Sequence, residues 1–378
     1  GLLGNQLGDP QEFAHSVFPF APELSPADEG LQILELWHGR SAAFKDYGAS
    51  FLAASMERLL HNREKRAVIL TATSGDTGSA VAQAFYGREH IDVVILYPDG
   101  RVSPLQEKQL TTLGGNIHAL RVDGAFDDCQ RIVKEAFMDR ALCGQVPLTS
   151  ANSINIGRLI PQSFYYIYAW AQLAAGAAAN GAADQPVFVV PSGNFGNLTA
   201  GVLAWKWGLP VRAFVAATNQ NDVVPEYLQT GIYSPRDSVP TYSNAMDVGR
   251  PSNFDRLERI FDGSVEKMRE MLVGEMVTDD ETLATMQRYQ KQKGIILDPH
   301  TAVGITSAER RQNQFGNSQL IVLGTAHPGK FREVVQKACG EDPVLPERLQ
   351  AVLSKKGHAD PISANVSDLK DFLLQSFV

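Results

Sequence analysis

Ala67-Val68-Ile69-Leu70, then Thr71-Ala72-Thr73-Ser74-Gly75-Asp76-Thr77-Gly78, then Ser79 through Ala84 is the stretch whose reading decides the fold. The short apolar, β-branched run predicts a strand, the glycines end it, and the alanine-rich continuation predicts a helix through Ala84. The alternation continues with a strand at Val93 to Tyr97, a helix at Pro104 to Leu113, a strand at Ile117 to Val122 and a helix at Asp127 to Met138. Such βαβ grammar predicts a mostly parallel sheet covered on both faces. The same rhythm returns at Val187 to Val190, Asn197 to Trp207, Val211 to Ala217 and Leu320 to Leu323, the last leading into a helix after Pro328. Two doubly wound α/β units are therefore expected. Between them lie the helical stretch Arg158 to Ala179 and an Ala/Gly/Asn segment to Asp184, read as a crossover or linker. Asn219 to Asn253 loses its periodicity and reads as a long irregular excursion of the kind that often carries function.

Composition bounds the function. With 378 residues and 44% hydrophobic content the chain can bury two or three separate cores, which excludes a small disulfide scaffold or a disordered chain. A net charge of -8 disfavours neutralising a nucleic-acid backbone or an anionic membrane surface. Cys129, Cys143 and Cys339 are odd in number and widely spaced, as expected of reduced thiols in a cytoplasmic protein. Phe164 to Ala179 is the most apolar stretch, but a helical span needs about 20 residues, so it reads as a buried helix. No basic region followed by an apolar core opens the chain, so no signal peptide is expected; the start at Gly1 rather than Met leads us to expect further residues upstream.

Several segments could carry chemistry. Pro191-Ser192-Gly193-Asn194-Phe195-Gly196-Asn197 follows an apolar strand and precedes a helix, so its glycines could turn several N–H groups toward one phosphate at a helix N-terminus. The alternative is a tight turn that needs glycine only for its dihedrals. Thr73-Ser74-Gly75-Asp76-Thr77 offers hydroxyls and N–H groups to a carboxylate, or else Asp76 or Thr77 simply caps the helix. Lys45 stands among Ala42, Ala43, Phe44 and Tyr47. Apolar surroundings disfavour its ammonium form, as a Schiff-base lysine requires, although most lysines are merely solvated. Asn152, Ser153 and Arg158 group amide, hydroxyl and guanidinium donors that could meet a phosphate, or mark a capped helix start. Thr325 lies at the carboxyl end of a strand, where ligands of α/β sheets gather. The eight histidines show no chelating spacing, so no metal is expected, and His38, His300 and His327 read as locally hydrogen-bonded histidines. No Gly-x-Ser-x-Gly elbow and no nucleotide P-loop occur.

One anion cradle, one lysine suited to an imine and a second anion pocket are the parts that pyridoxal phosphate chemistry on an anionic amino acid requires. Here the chain resembles the threonine synthase family of the pyridoxal-phosphate fold type II group, in its microbial form without an S-adenosylmethionine-binding extension. The resemblance rests on colinear blocks: Leu36 to Gly48, Thr71 to Gly78, Ser103 to Gly115, Asn152 to Gln162, Pro191 to Asn197, Ala217 to Asp222, Asn244 to Val248, Asp298 to Val303 and Leu323 to Phe331. It implies two doubly wound α/β domains with the active site between them, similar to tryptophan synthase β. Residues 1–47 and 160–378 would form the larger pyridoxal-phosphate-binding domain and 48–159 the smaller one. Lys45 corresponds to the lysine that joins the cofactor aldehyde, Gly193, Asn194, Phe195, Gly196 and Asn197 to the cofactor-phosphate loop, and Thr325 to the hydroxyl facing the pyridine nitrogen. Thr73, Ser74, Asp76 and Thr77 match the segment that holds the substrate carboxylate, and Asn152, Ser153 and Arg158 the group that grips the substrate phosphate.

The resemblance implies conversion of O-phospho-L-homoserine and water to L-threonine and phosphate by γ-elimination and β-addition. A phospholyase or a serine/threonine dehydratase, each giving a 2-oxo acid, shares the same motifs. It also implies a small-molecule substrate, no nucleic-acid or membrane partner, and a monomer or homodimer. Two departures stand out: Arg40-Ser41 replaces the Pro-Thr common in the family, and the family's further N-terminal segment is not matched.

Overall fold

A computed structural model of the chain describes residues 4–61, 65–73, 75–152, 155–177 and 185–378. It divides into two compact units: one comprises the chain up to Pro19, Gly39–Arg158 and Leu345–Val378, the other Phe20–His38 and Leu159–Val344.

In the first unit the described residues form a five-stranded, all-parallel sheet in the order Asp360–Ser363, Ile117–Asp123, Ile91–Pro98, Ala67–Ala72, Leu148–Thr149. Strand Ala67–Ala72 is buried at every position, which explains why its sequence is a continuous apolar run rather than an alternating one. Ile69, Val93 and Ile95 share a core with Ala49 and Leu52 of helix Lys45–His61 and Ala80 and Val81 of helix Asp76–Phe85. Val68, Leu70 and Val94 face the opposite way, into a core with Cys129, Ile132 and Val133 of helix Phe126–Met138 and Leu369 and Leu373 of helix Val366–Phe377.

In the second unit the described residues form a six-stranded sheet in the order Glu23–Asp28, Leu31–Glu35, Leu320–Gly324, Val187–Pro191, Ala213–Thr218, Leu272–Met276. The first pair is antiparallel and the rest parallel. Val187, Val189, Val215 and Val322 meet Ala302, Val303 and Ile305 of helix Pro299–Arg311 on one face. On the other, Phe188 and Phe214 stack at 6.0 Å and Tyr166 packs edge-on against Phe188 at 4.9 Å.

The expected strands and helices from Ala67 to Met138 and around Val187 to Ala217 are present. Four features differ. The chain up to Pro19 and residues 39–47, expected in the larger unit, belong to the first, which places Lys45 there. The carboxyl-terminal stretch joins the first unit, because Asp360–Ser363 adds a parallel strand to Ile117–Asp123 and Leu369 and Leu373 fill its core. Pro161 breaks the expected helix from Arg158: a short turn at Ile156–Leu159 and a 3-10 turn at Ile160–Gln162 precede helix Ser163–Ala177. The Ala/Gly/Asn segment that follows lies outside the described residues from position 178 to 184. The excursion from Asn219 contains helix Val223–Thr230, closed by Gly231 in the left-handed conformation. Among the described residues no helix is long and apolar enough to cross a membrane.

The terminal helix should be measurable as core of the first unit. Leu373→Ala is expected to cost about 2–5 kcal/mol in urea unfolding; an unchanged midpoint would place this helix outside the core.

Candidate active site

Lys45 is the first residue of helix Lys45–His61, and the turn before it is tied down by the next residue. Buried Asp46 accepts a hydrogen bond from the Ser41 N–H at 2.9 Å, and Ala42, in the left-handed region at φ 56°, turns the chain into the helix. The carboxylate at Asp46 thus lies at a helix start, where negative charge is favoured. Ala42 and Ala43 are fully buried and Tyr47 nearly so, which leaves the lysine side chain 18% exposed. Its surroundings are less apolar than the sequence suggests. Lys45 Nζ lies 3.9 Å from the Oδ2 of Asp76, a carboxylate that favours the ammonium form.

Asp76 is not the helix cap. The N-cap of helix Asp76–Phe85 is Gly75, at φ 146°, without a side-chain cap bond. Asp76 instead accepts from Gln106 Nε2 at 3.0 Å, while Gln106 Oε1 accepts from the Ser103 N–H at 3.2 Å in a capping box. A Cβ at Gly75 would come within 2.5 Å of that glutamine amide, so Gly75 is required by both its backbone angle and its close neighbour. Thr73 Oγ1 accepts from the N–H groups of Gly75 at 3.0 Å and Gly78 at 2.8 Å, which rigidifies the turn. Thr73 is buried and Thr77 half-buried.

Arg158 is only 3% exposed. Its Nη1 donates to the Ala151 carbonyl at 2.5 Å, and burial pulls its pKa down to about 10 against the favourable charge of Asp46. Its main chain packs on the first turn of the lysine helix, where a Cβ at Gly48 would collide with the Arg158 carbonyl oxygen. Asn152 accepts a hydrogen bond from the Thr71 hydroxyl, which links its loop to the end of strand Ala67–Ala72. The first unit therefore brings Lys45 beside Asp76, and Arg158 beside the helix that Lys45 begins. Ser74 and Ser153 lie outside the described residues.

In the second unit, strand Val187–Pro191 leads through a turn into helix Gly196–Lys206. Phe195 precedes the helix at φ 59°, left-handed and strained for an aromatic residue. A Cβ at Gly193 would lie 2.6 Å from the Met246 Cα, so only glycine allows the two backbones to meet. Side chains fasten this loop from both sides. Asn197 Nδ2 donates to the Pro191 carbonyl at 2.9 Å and its Oδ1 pairs with the Ser192 hydroxyl. The Ser252 N–H and hydroxyl donate to Asn194 Oδ1 at 2.5 and 3.0 Å. A fastened turn at a helix start, with no β-carbon at Gly193, suits the dianionic phosphate of a cofactor. Thr325 follows strand Leu320–Gly324 and is 5% exposed, a hydroxyl at the strand's carboxyl end.

Residues 23–325 match the family described as pyridoxal-phosphate dependent enzyme, and residues 301–373 match the one described as threonine synthase, C-terminal. The threonine synthase of Serratia marcescens is 46% identical over 95% of this chain and 81% of its own length. The chain belongs to the threonine synthase family. Threonine synthase from Escherichia coli (strain K12) is 45% identical over 92% of this chain and 80% of its own. The crystal structure of pyridoxal-phosphate-bound threonine synthase from Brucella melitensis superposes with a TM-score of 0.89 at 36% identity, covering 97% of this chain and 84% of that one. The Escherichia coli threonine synthase structure gives 0.87 at 42% identity, covering 97% and 84%.

Threonine synthase family membership makes pyridoxal 5'-phosphate the cofactor and the fold type II the architecture, as expected from the colinear blocks. Residue by residue, Asp46, Gln106 and Met246 were not anticipated. Gln106 carried a readable signal, since Ser103-x-x-Gln106 is a capping-box spacing. Asp46 and Met246 act through contacts that no local pattern announces. His300 and His327 do hydrogen-bond locally, to Asp298 at 2.8 Å and from the Gly329 N–H at 3.0 Å.

Gly193→Ala should leave the fold intact and weaken pyridoxal phosphate binding at least about tenfold, because the new methyl must displace the Met246 backbone. Equilibrium titration of the cofactor against the two proteins checks this; equal affinities would remove Gly193 from the phosphate loop.

Proposed function

We propose that the protein converts O-phospho-L-homoserine and water to L-threonine and phosphate, in the cytoplasm, with Lys45 as its catalytic base. Pyridoxal phosphate, when bound, supplies an aldehyde for amines and an electron-accepting ring that tolerates negative charge at Cα. The observation that carries the reading is the placement of two cations of different kinds around one helix turn: partly exposed Lys45, which can exchange its proton, and buried Arg158, which cannot do so at neutral pH.

The reaction needs protons taken from Cα and Cβ as phosphate leaves Cγ, a proton returned to Cγ, and then water added at Cβ with a proton returned to Cα. One amine that is alternately free and protonated can serve these steps. Lys45 fits, because its side chain is 18% exposed and Asp76 at 3.9 Å stabilises the ammonium form once a proton has been taken. Arg158, with Asn152 and Ser153, grips the phosphate that departs. A desolvated guanidinium gains more from a phosphate than a surface one does, since water competes less for it. The turn from Thr73 to Thr77, including Ser74 and Asp76, receives the substrate carboxylate at the start of helix Asp76–Phe85, where main-chain N–H groups have no partner within the helix. Gly193, Asn194, Phe195, Gly196 and Asn197 hold the cofactor phosphate. Thr325 offers a neutral hydroxyl to the ring nitrogen.

Incubation with O-phospho-L-homoserine and identification of the products tests the whole reading. Threonine plus phosphate is expected; 2-oxobutyrate plus ammonia and phosphate would convert the assignment to a phospholyase. Lys45→Ala should abolish both turnover and the visible absorbance of the cofactor-loaded protein. Arg158→Lys keeps a buried cation but loses the planar fork, so KM for the phosphorylated substrate should rise about 10- to 100-fold with little change in cofactor affinity. Equal losses for both ligands would take Arg158 away from the substrate phosphate.

A further inference from the structure

The segment from Thr241 to Asp247 crosses the phosphate loop at its closest point, and two tethers hold it. At one end the Asp247 carboxylate accepts from the Thr241 N–H at 3.0 Å, the Thr241 hydroxyl at 2.7 Å, Asn219 Nδ2 at 2.9 Å and Asn221 Nδ2 at 3.1 Å. In the middle the Ala245 N–H donates to His300 Nε2 at 3.2 Å. Ala245 immediately precedes Met246, whose Cα faces Gly193.

The geometry settles the state of the His300 ring. A main-chain N–H can only donate, so Nε2 carries the lone pair and the ring hydrogen sits on Nδ1. That hydrogen points to Asp298 Oδ1 at 2.8 Å. Asp298 is fixed in turn, because it caps helix Pro299–Arg311 by accepting from the N–H groups of His300 at 2.9 Å and Thr301 at 3.3 Å and also takes the Thr301 hydroxyl. Both His300 and Asp298 are buried, and the ring packs on Phe331 at 4.7 Å. The relay therefore runs from a helix cap, through an oriented imidazole, to one main-chain N–H above the cradle.

We propose that Asp298 and His300 form a positioning pair that holds Ala245 and Met246 down on Gly193 and so preshapes the loop for a phosphate monoester. This rests on the proposed function in taking the loop from Gly193 to Asn197 as the cofactor-phosphate site. Neither residue touches the cofactor; each acts through the other and through the Ala245 N–H.

The test is equilibrium titration of the full chain, freed of cofactor, with pyridoxal phosphate and separately with pyridoxal, which has the ring and aldehyde but no phosphate. His300→Phe keeps a flat ring against Phe331 and deletes the acceptor. It should weaken pyridoxal phosphate binding roughly tenfold, the effect of about one buried hydrogen bond, and leave pyridoxal binding within twofold. His300→Gln, which restores an acceptor oxygen without the ring, should bind pyridoxal phosphate like the unsubstituted chain. His300→Met also lacks the acceptor at similar volume and carries the same expectation as His300→Phe if that variant does not fold. Equal weakening of both ligands, or none, would overturn the pair's role in shaping the phosphate loop, as would failure of His300→Gln to restore binding. If the unsubstituted chain bound no pyridoxal phosphate at all, the proposed function would fall first and this inference with it.

Discussion

Two places where main chain meets main chain without a β-carbon between them organise this protein's candidate chemistry. At Gly48 the lysine helix touches the Arg158 carbonyl, and at Gly193 the loop proposed to hold the cofactor phosphate touches Met246. Protein interiors are packed too densely to absorb a methyl group at such a contact without moving one of the partners. The functional groups nearby inherit that rigidity: Lys45 begins the helix that carries Gly48, and Asn194 to Asn197 continue the loop that Gly193 opens.

Buried carboxylates do the second part of the work. Asp46, Asp76 and Asp298 are all at most 5% exposed, and each is held by named donors rather than left in an apolar pocket. An ionised carboxylate without such partners would be costly to bury. Asp46 also offsets the burial of two cations, Arg158 and Arg348, whose pKa values desolvation lowers. Arg348 belongs to helix Glu347–Leu353 in the carboxyl-terminal stretch, so the end of the chain helps set the electrostatics around the residue that follows Lys45. This links an architectural correction to the site: the terminal residues complete the first unit instead of extending the second.

The lone lysine also illustrates how environment modifies a motif. Ala42, Ala43 and Phe44 announce an apolar neighbourhood, and the first two are indeed fully buried. Asp76 comes from 31 positions further along and sets a carboxylate 3.9 Å from the amine, which opposes the expected bias toward the neutral form.

The sequence by itself determined the α/β class, the strands from Ala67 onward, the glycine turns at Gly75 and Gly193, and the family to which the colinear blocks point. These are legible because a buried parallel strand needs a continuous apolar run and a strand-to-helix turn needs glycine, both within a few residues. Only the tertiary structure decided that Thr73 braces its own turn, that Asp76 answers to Gln106 and Lys45, that the terminal helix closes the first core, and that His300 reaches Ala245. Apart from the Thr73 turn, each of these joins groups that meet only after the chain has folded, and a hydrogen bond or packed contact between distant segments leaves no periodicity in either of them.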